Sequence, residues 1–210
     1  MSIYNDISAL LQKGRAKEIK VQVQEALEQG NSPKEILDKG LIQGMSEIGE
    51  RFKRNEAYVP EVLIAARAMN AALEVLNPAL IDSGVKPIGK AIICTVKGDL
   101  HDIGKNLVKM MIQGQGIECI DLGVDVSEKD IVEAIKVHNP YLVCLSSLLT
   151  TTMMEQKNVI DAIKKSNLRD KVKIMVGGAP ITEEFAAQIG ADAYTPDAAS
   201  AANVARAFFN

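Results

Sequence analysis

The sequence predicts an α/β protein in which a bundle of helices precedes a parallel β-sheet. Up to about residue 85, apolar residues recur every three or four positions, which is the period of amphipathic helices. From Lys90 onward, short runs rich in Ile, Val and Cys alternate with amphipathic segments, as they do in successive βα units. We therefore predict two domains, a helical one over residues 1–85 and an α/β one over residues 86–210.

The helical domain is predicted to contain four helices. They are expected over residues 3–12, 16–29, 33–48 and 60–76. The third has a clear start signal, because Ser32 and Glu35 have the spacing of a capping box and Pro33 occupies the first helical position. After the fourth helix, Asn77-Pro78 and then residues 83–89 predict a linker.

The second domain is predicted to be a doubly wound, flavodoxin-like (Rossmann-type) parallel sheet of about five strands. The strand candidates are residues 91–96, 118–122, 142–146, 173–176 and 193–194. Their apolar residues do not alternate strictly with polar ones, which is typical of strands buried on both faces. Ligands of such sheets bind beyond the carboxyl ends of the strands. The loops at 97–104, 123–127, 146–152 and 177–180 are therefore the candidate site.

Composition and charge exclude several classes of protein. The 210 residues carry a net charge of −3, which argues against nucleic acid or an anionic membrane as a partner. The apolar runs are shorter than the roughly 20 residues that cross a bilayer, and the N-terminus lacks an export signal. We therefore expect a cytoplasmic protein. Three cysteines cannot all pair within one chain, and reduced structural thiols are expected.

The loop after the first strand carries the most informative residues. His101, one of two histidines in the chain, stands there between Asp99 and Asp102. Imidazole is a common metal ligand, and a carboxylate on its other nitrogen fixes the tautomer. Zinc needs three or four protein ligands, whereas one imidazole suits a metal held in a macrocycle. The alternative is a histidine that caps a helix or is solvated. Nearby Lys97, Lys105 and Lys109 are expected to be surface charges.

An ordered set of motifs extends this pattern. Asp99-x-His101-x-x-Gly104 has the form of a cobalamin-binding signature, Ser146-x-Leu148 follows the third strand, and Gly177-Gly178 follows the fourth. Residues 44–60 are similar to a helical cap domain. The chain resembles the cap and cobalamin-binding domains of cobalamin-dependent methionine synthase, and more closely the corrinoid proteins of anaerobic methyltransferase systems. The resemblance covers almost the whole sequence.

The resemblance implies a role for each matching residue. His101 would be the lower axial ligand of cobalt, with the cofactor in its base-off form. Asp99 would bind that imidazole, and Thr152 would continue the relay with a hydroxyl where methionine synthase has Ser. The remaining implied residues line a slot for the nucleotide tail or, in the cap, cover the upper face of the corrinoid. The slot residues are Ser146, Leu148, Thr150, Gly177 and Gly178, and the cap residues are Phe52 and Val59.

The resemblance also implies a function. The chain would be a subunit that accepts a methyl group on Co(I) from a donor-specific methyltransferase and delivers it as methyl-Co(III). A second methyltransferase would pass the group to tetrahydrofolate or coenzyme M. A reductive activation protein would return the cobalt to the Co(I) state. The subunit would not be a complete enzyme by itself. Two alternatives remain, an adenosylcobalamin module of a mutase or sensor and a flavodoxin-like domain that binds no corrinoid.

Overall fold

The computed structural model describes residues 2–209 and divides the chain into two compact units. The helical unit extends to Pro87 and includes residues 114–116, whereas the α/β unit comprises residues 88–113 and those from 117 onward. No helix within the described residues is both long and apolar enough to cross a bilayer.

The helical unit contains the four predicted helices, but the third continues to Lys53 and the fourth extends to Asp82. Its elements are α1 (Ile3–Gln12), α2 (Ala16–Glu28), α3 (Pro33–Glu35), a π-helical segment (Ile36–Ile42), α4 (Gln43–Lys53) and α5 (Val59–Asp82). From α3 to α4 the backbone is continuously helical. Gly40 and Gly44 lie against α1, where a Cβ atom would approach Ile7 Cγ2 to 2.9 Å and Ser8 Cα to 3.2 Å. The small residues therefore permit close packing of α1 on this long helix.

The predicted break at Asn77-Pro78 is wrong, because α5 continues through both residues to Asp82. A proline inside a helix removes one backbone hydrogen bond and costs about 3 kcal/mol. Here Pro78 is exposed, so water can reach the carbonyl group that loses its donor. On the opposite side, Leu76 and Leu80 are buried one helical turn apart. Burial of these two side chains outweighs the local penalty and extends the helix.

The predicted capping box is also wrong in its chemistry. The helix begins at Pro33 as expected, but the side chain of Ser32 makes no capping hydrogen bond. The carboxylate of Glu35 instead accepts hydrogen bonds from Tyr4 Oη at 2.9 Å and from Lys39 Nζ at 2.6 Å. Glu35 therefore contributes to a bond between α1 and α3 rather than to the end of its own helix.

The α/β unit confirms the predicted fold, a doubly wound sheet of five parallel strands. The strands are β1 (Gly89–Thr95), β2 (Ile117–Asp121), β3 (Leu142–Ser146), β4 (Lys173–Gly177) and β5 (Ala193–Tyr194). The helices are α6 (Ile103–Gln113), α7 (Glu128–His138), α8 (Met153–Lys165), α9 (Glu183–Ile189) and α10 (Ala198–Phe208), with a 3-10 turn at Arg169–Lys171. All pairings are parallel, and the order is β2-β1-β3-β4-β5.

Apolar side chains cover the sheet on both faces. One buried cluster joins the strands to Ile131 of α7, Val159 of α8 and Ala186 of α9. The other joins them to Ile112 of α6 and Ala205 of α10. The three cysteines belong to strands of this sheet, and burial raises the pKa of both Cys94 and Cys119 to about 12 and that of Cys144 well above its usual value. These thiols therefore stay protonated near neutral pH and act as packing residues.

The expectation that Lys105 is a surface charge is wrong. Its residue is only 4% exposed, and its Nζ lies 2.6 Å from Asp121 Oδ1 at the end of β2. Lys109 Nζ contacts the other carboxylate oxygen at 2.7 Å. Desolvation alone would raise the pKa of Asp121, but the two ammonium groups and the Gly123 N–H hold it at about 2. The ion pair fixes the start of α6 against β2.

Candidate functional site

The carboxyl edge of the sheet contains a crevice between β1 and β3. The chain leaves β1 toward α6 on one face and leaves β3 toward α8 on the other, as the two core clusters show. Adjacent strands whose connections diverge in this way form a topological switch point, where doubly wound proteins bind ligands. Thr95, Ser146 and Gly177 end their strands in register along this edge.

A buried carboxylate, Asp99, lies at the centre of this crevice. Its residue is 0% exposed. Oδ1 accepts a hydrogen bond from the backbone N–H of His101 at 3.1 Å and lies 2.7 Å from His101 Nδ1. Oδ2 accepts from Leu148 N–H at 2.7 Å, from Leu149 N–H at 3.3 Å and from Thr152 Oγ1 at 3.0 Å. One carboxylate therefore joins the loop after β1 to the loop after β3.

These donors determine the charge of Asp99. Burial by itself disfavours the carboxylate and raises its pKa. The hydrogen bonds from the N–H and ring of His101, from the Leu148 N–H and from the Thr152 hydroxyl favour the charged form, and they hold the pKa of Asp99 at about 2. Asp99 is thus an anion over the physiological range, and it acts only as an acceptor toward its neighbours.

The imidazole of His101 is oriented by this anion. Because Asp99 is an acceptor, Nδ1 must carry the proton, which leaves the lone pair on Nε2 at the far side of the ring. The His101 side chain is 51% exposed, whereas that of Asp99 is fully buried. Nε2 makes no hydrogen bond to any residue from 2 to 209. The arrangement therefore fixes one nitrogen lone pair at an open position on the edge of the sheet.

The hydroxyl of Thr152 reaches Asp99, and a second hydroxyl lies behind it. Thr152 Oγ1 is 2.9 Å from Ser147 Oγ, and both residues are buried. The backbone N–H of Ser147 donates to Gly177 O at 3.1 Å. A chain of contacts consequently runs from the imidazole through Asp99, Thr152 and Ser147 to the end of β4. Sequence analysis missed Ser147, since the run of hydroxyl residues from 146 to 152 gives no signal for which of them turns inward.

Three further residues, Gly98, Asp125 and Thr95, hold the His101 loop in place. Gly98 has a φ of +79°, which favours glycine. Its N–H donates to Asp125 Oδ1 at 2.7 Å, and Asp125 N–H donates to Asp99 O at 3.0 Å. From the end of β1, Thr95 Oγ1 donates to His101 O at 2.8 Å. The position of the imidazole is therefore fixed through backbone bonds on both sides of Asp99.

The paired glycines after β4 have different surroundings. Gly178 has a φ of +132°, and a Cβ atom there would lie 1.7 Å from Ser147 O, so this residue must be glycine for the loops to pack. At Gly177 a Cβ atom would meet only Thr195 O at 3.6 Å, an ordinary contact. A Cβ atom at Gly104, in the first turn of α6, would project into open space. Gly177 and Gly104 therefore leave room beside the crevice.

Large apolar side chains are exposed on the loops after β1 and β3 and on the helices that follow them. Ser146 is half-buried at the end of β3, and Thr150 is exposed in the loop that follows. Leu148 is 42% exposed. The exposed apolar residues of the two loops and of the helices that follow them are Leu100, Ile103, Leu148, Leu149 and Met154. An apolar surface with one imidazole lone pair suits a large, partly apolar ligand that contains a metal.

Phe52 and Val59 lie in the helical unit. Phe52 is half-buried in α4, and Val59, the first residue of α5, is 36% exposed. Tyr58, Leu63 and Ile64 are exposed apolar residues of the same region. The helical unit therefore has a set of large apolar side chains outside its own core.

The residues present fit a metal that brings most of its own ligands. Within residues 2–209, no group of three or more His, Cys, Asp or Glu side chains is arranged to hold a metal ion. The chain supplies one imidazole, a carboxylate that fixes its tautomer, and exposed apolar side chains on the same loops. This is the donor set that a metal in a macrocycle needs from a protein, because the ring fills the equatorial positions.

Comparison with known proteins indicates the same class of protein, one that binds a metal held in a macrocycle. A family model described as B12 binding domain matches residues 89–204, and a second model with that description matches residues 3–77. The sequence is 41% identical to trimethylamine corrinoid protein 1 of Methanosarcina acetivorans, over 88% of this chain and 86% of the relative.

Two solved structures share the fold. A cobalamin-binding protein from Desulfitobacterium hafniense DCB-2 superposes with a TM-score of 0.84 at 30% identity, over 99% of this chain and 98% of the other. The methanol:cobalamin methyltransferase complex MtaBC from Methanosarcina barkeri gives a TM-score of 0.86 at 28% identity, over 99% of this chain and 79% of the other.

Fold and site thus indicate a module that binds a metal held in a macrocycle. The chain belongs to the family of B12-binding proteins. The predicted resemblance to corrinoid proteins of methyltransferase systems is confirmed, as is a cobalamin or related corrinoid as the cofactor. The role of each site residue, including His101 as the lower ligand, stays a prediction.

A first prediction concerns the two glycines. Gly178→Ala should lower the free energy of unfolding by about 3 kcal/mol, because the new Cβ atom overlaps the Ser147 carbonyl at an unfavourable φ. Gly177→Ala is the matched control and should change it by less than about 1 kcal/mol. Urea unfolding of both variants measures the difference. Equal effects would contradict the packing described here.

A second prediction concerns Asp99. Asp99→Asn should lower the free energy of unfolding near pH 7 by about 2 kcal/mol. It removes charge-assisted hydrogen bonds and places an amide NH2 group, itself a donor, against the donors that now face a carboxylate oxygen. Since the folded pKa of about 2 lies below the ordinary value of 3.8, the carboxylate stabilises the fold above about pH 4 and loses this effect as the pH falls toward 2.

The difference in the free energy of unfolding between wild type and Asp99→Asn should accordingly decrease by about 1 kcal/mol from about pH 5 to about pH 3. Urea unfolding across this range checks it, and all other acidic groups cancel because both proteins share them. A gap independent of pH would show that Asp99 is not the buried anion.

Proposed function

We propose that this protein is the methyl-carrying corrinoid subunit of a methyltransferase system. The observation that supports this most is the Asp99–His101 pair, which fixes an imidazole lone pair at the open carboxyl edge of the sheet in a chain of the B12-binding family. When bound, a corrinoid supplies a cobalt centre that can take up a methyl group and give it up again. The protein supplies orientation, electrostatics and shielding.

His101 would be the protein's ligand to the cobalt, through Nε2. Asp99, as an anion, would keep the proton on Nδ1 and leave the lone pair of Nε2 for the metal. The 2.7 Å contact between His101 Nδ1 and Asp99 Oδ1 would keep the ring in the orientation that this role needs. The hydroxyl of Thr152 supports the carboxylate in either state.

The glycine and hydroxyl residues of the edge accommodate the rest of the cofactor. Ser146, Leu148 and Thr150 line the slot for the nucleotide tail, with Gly177 and Gly178 at its far side. Gly104 leaves space for the ring beside His101, since no atom lies within 4 Å of a Cβ built there.

In the helical domain over residues 1–85, Phe52 and Val59 shield the upper face. The division of the chain into this helical domain and a corrinoid-binding domain over residues 86–210 is part of the same proposal. The exposed apolar side chains of the helical unit support it. A shield of this kind must open for each methyl transfer, because the donor and the acceptor enzymes approach the same face.

The partners are methyltransferases. A donor-specific enzyme loads the methyl group, and a second one passes it to tetrahydrofolate or coenzyme M, with a reductive activation protein to restore the cofactor. The similar proteins described above are named for trimethylamine in one case and for methanol in another. A carrier whose donor is chosen by the partner enzyme explains why such closely related folds serve different donors. We place this system in the cytoplasm.

Reconstitution tests the function directly. Incubation with hydroxocobalamin followed by desalting should leave about one cobalt per chain and a visible spectrum altered by imidazole ligation. His101→Ala should keep the fold, change that spectrum and weaken corrinoid affinity about tenfold or more. His138→Ala, at the end of α7, is the control and should change neither. A folded wild-type protein that remains colourless would exclude the proposal.

The shielding role has its own test. Phe52→Ala should open the upper face, so bound methylcobalamin should lose its methyl group in light about threefold faster or more. Phe185→Ala in α9 removes an aromatic side chain from the α/β unit and should leave the photolysis rate unchanged. If Phe52→Ala has the rate of wild type, Phe52 does not cover the cofactor.

A further inference from the structure

Gln156 in the first half of α8 has a buried side-chain oxygen without a partner. Its residue is 0% exposed. The amide nitrogen Nε2 donates to Leu145 O and to Gly177 O, both at 3.1 Å. Oε1 accepts no hydrogen bond from any described residue. A buried acceptor with no donor is unfavourable, so such groups usually have a water molecule or a ligand as their partner.

The orientation of this amide is fixed by its neighbours. If the oxygen and nitrogen were exchanged, an oxygen would face two backbone carbonyl oxygens, none of which can donate a proton. The nitrogen must therefore face the carbonyl groups, and the oxygen must be the atom without a partner. This assignment follows from the two acceptors alone.

The amide that carries the unpartnered oxygen lies at the ends of the two strands that border the proposed slot. Leu145 and Gly177 belong to the last two residues of β3 and β4, and the amide of Gln156 connects these strand ends. Gly177 has space at its Cα atom, since a Cβ atom there would meet only Thr195 O at 3.6 Å. The N–H of Ser147, which donates to the same Gly177 oxygen, links this point to the Thr152–Asp99 network.

We propose that Gln156 is a positioning residue that recognises the nucleotide tail of the corrinoid through Oε1. The inference rests on the proposed function and deepens it. The nucleotide tail carries a hydrogen-bond donor, the ribose hydroxyl, whereas the corrin ring is held at the edge near His101. As the tail enters between α8 and the end of β4, one donor satisfies Oε1 while Nε2 keeps the two strand ends together.

The experiment compares two corrinoids and four proteins. Cobalamin has the nucleotide tail, and dicyanocobinamide lacks it. Affinity for each is measured by absorbance titration of wild type, Gln156→Met, Gln156→Glu and Gln115→Met. The Met variant removes the acceptor at equal length. The Glu variant is expected to be protonated beside the two carbonyl oxygens, so its O–H replaces Nε2 as a donor and its other oxygen stays an acceptor. Gln115 is a buried glutamine in the turn before β2, at the opposite edge of the sheet. Circular dichroism monitors the fold of each protein.

Gln156→Met should weaken cobalamin binding about tenfold and change cobinamide binding by less than about twofold. Gln156→Glu and Gln115→Met should keep the wild-type ratio of the two affinities. Equal weakening of both corrinoids by Gln156→Met would show a purely structural role, and unchanged affinity for both would show that water partners Oε1. Either result overturns the inference and leaves the proposed function intact. Wild-type protein that binds neither corrinoid would overturn the proposed function as well.

A measurement on wild-type protein does not depend on whether a variant folds. The side-chain carbonyl ¹³C resonance of Gln156 should shift when cobalamin is added, because the oxygen gains a donor, and should not shift with dicyanocobinamide. The same shift with both corrinoids, or with neither, would contradict recognition of the tail by this residue.

Discussion

The Asp99 carboxylate is the interaction on which the rest of the site depends. It is fully buried, yet it is charged because donors from two loops converge on its oxygens. A buried anion is tolerated only when it is hydrogen-bonded in this way. The loops after β1 and β3 are therefore held at a fixed separation, and the imidazole has one tautomer. Without this anion, neither the direction of His101 nor the shape of the crevice would be determined.

The topology of the sheet makes that convergence possible. Because β1 and β3 are neighbours whose connections leave toward opposite faces, two loops distant in sequence meet at one edge. Close approach at Gly178 then brings the end of β4 against Ser147. The result is a continuous set of contacts from His101 to Gln156, so that the imidazole and the ends of β3 and β4 share one hydrogen-bonded framework. The cofactor supplies reactivity, and this framework supplies a fixed position for it.

Much of the fold could be predicted from the sequence, because periodicity reports burial directly. The five strands lie within about two residues of their predicted positions. The failures occurred where tertiary contacts overruled a local rule. Pro78 is a helix breaker, but burial of Leu76 and Leu80 carries α5 past it. Lys105 is normally a surface residue type, but Asp121 pairs with it in the interior.

The sequence by itself determined the order of the elements, the presence of one imidazole beside a carboxylate and the family to which the chain belongs, since these depend on residue types and spacing along the chain. Only the tertiary structure decided which hydroxyls turn inward, why Gly178 must be glycine, and that Gln156 lies at the strand ends with an unpartnered oxygen. The physical reason is that the hydrogen bonds between the loops after β1 and β3 join residues 49 and 50 positions apart. Their pairing is decided by packing, which local sequence patterns do not encode.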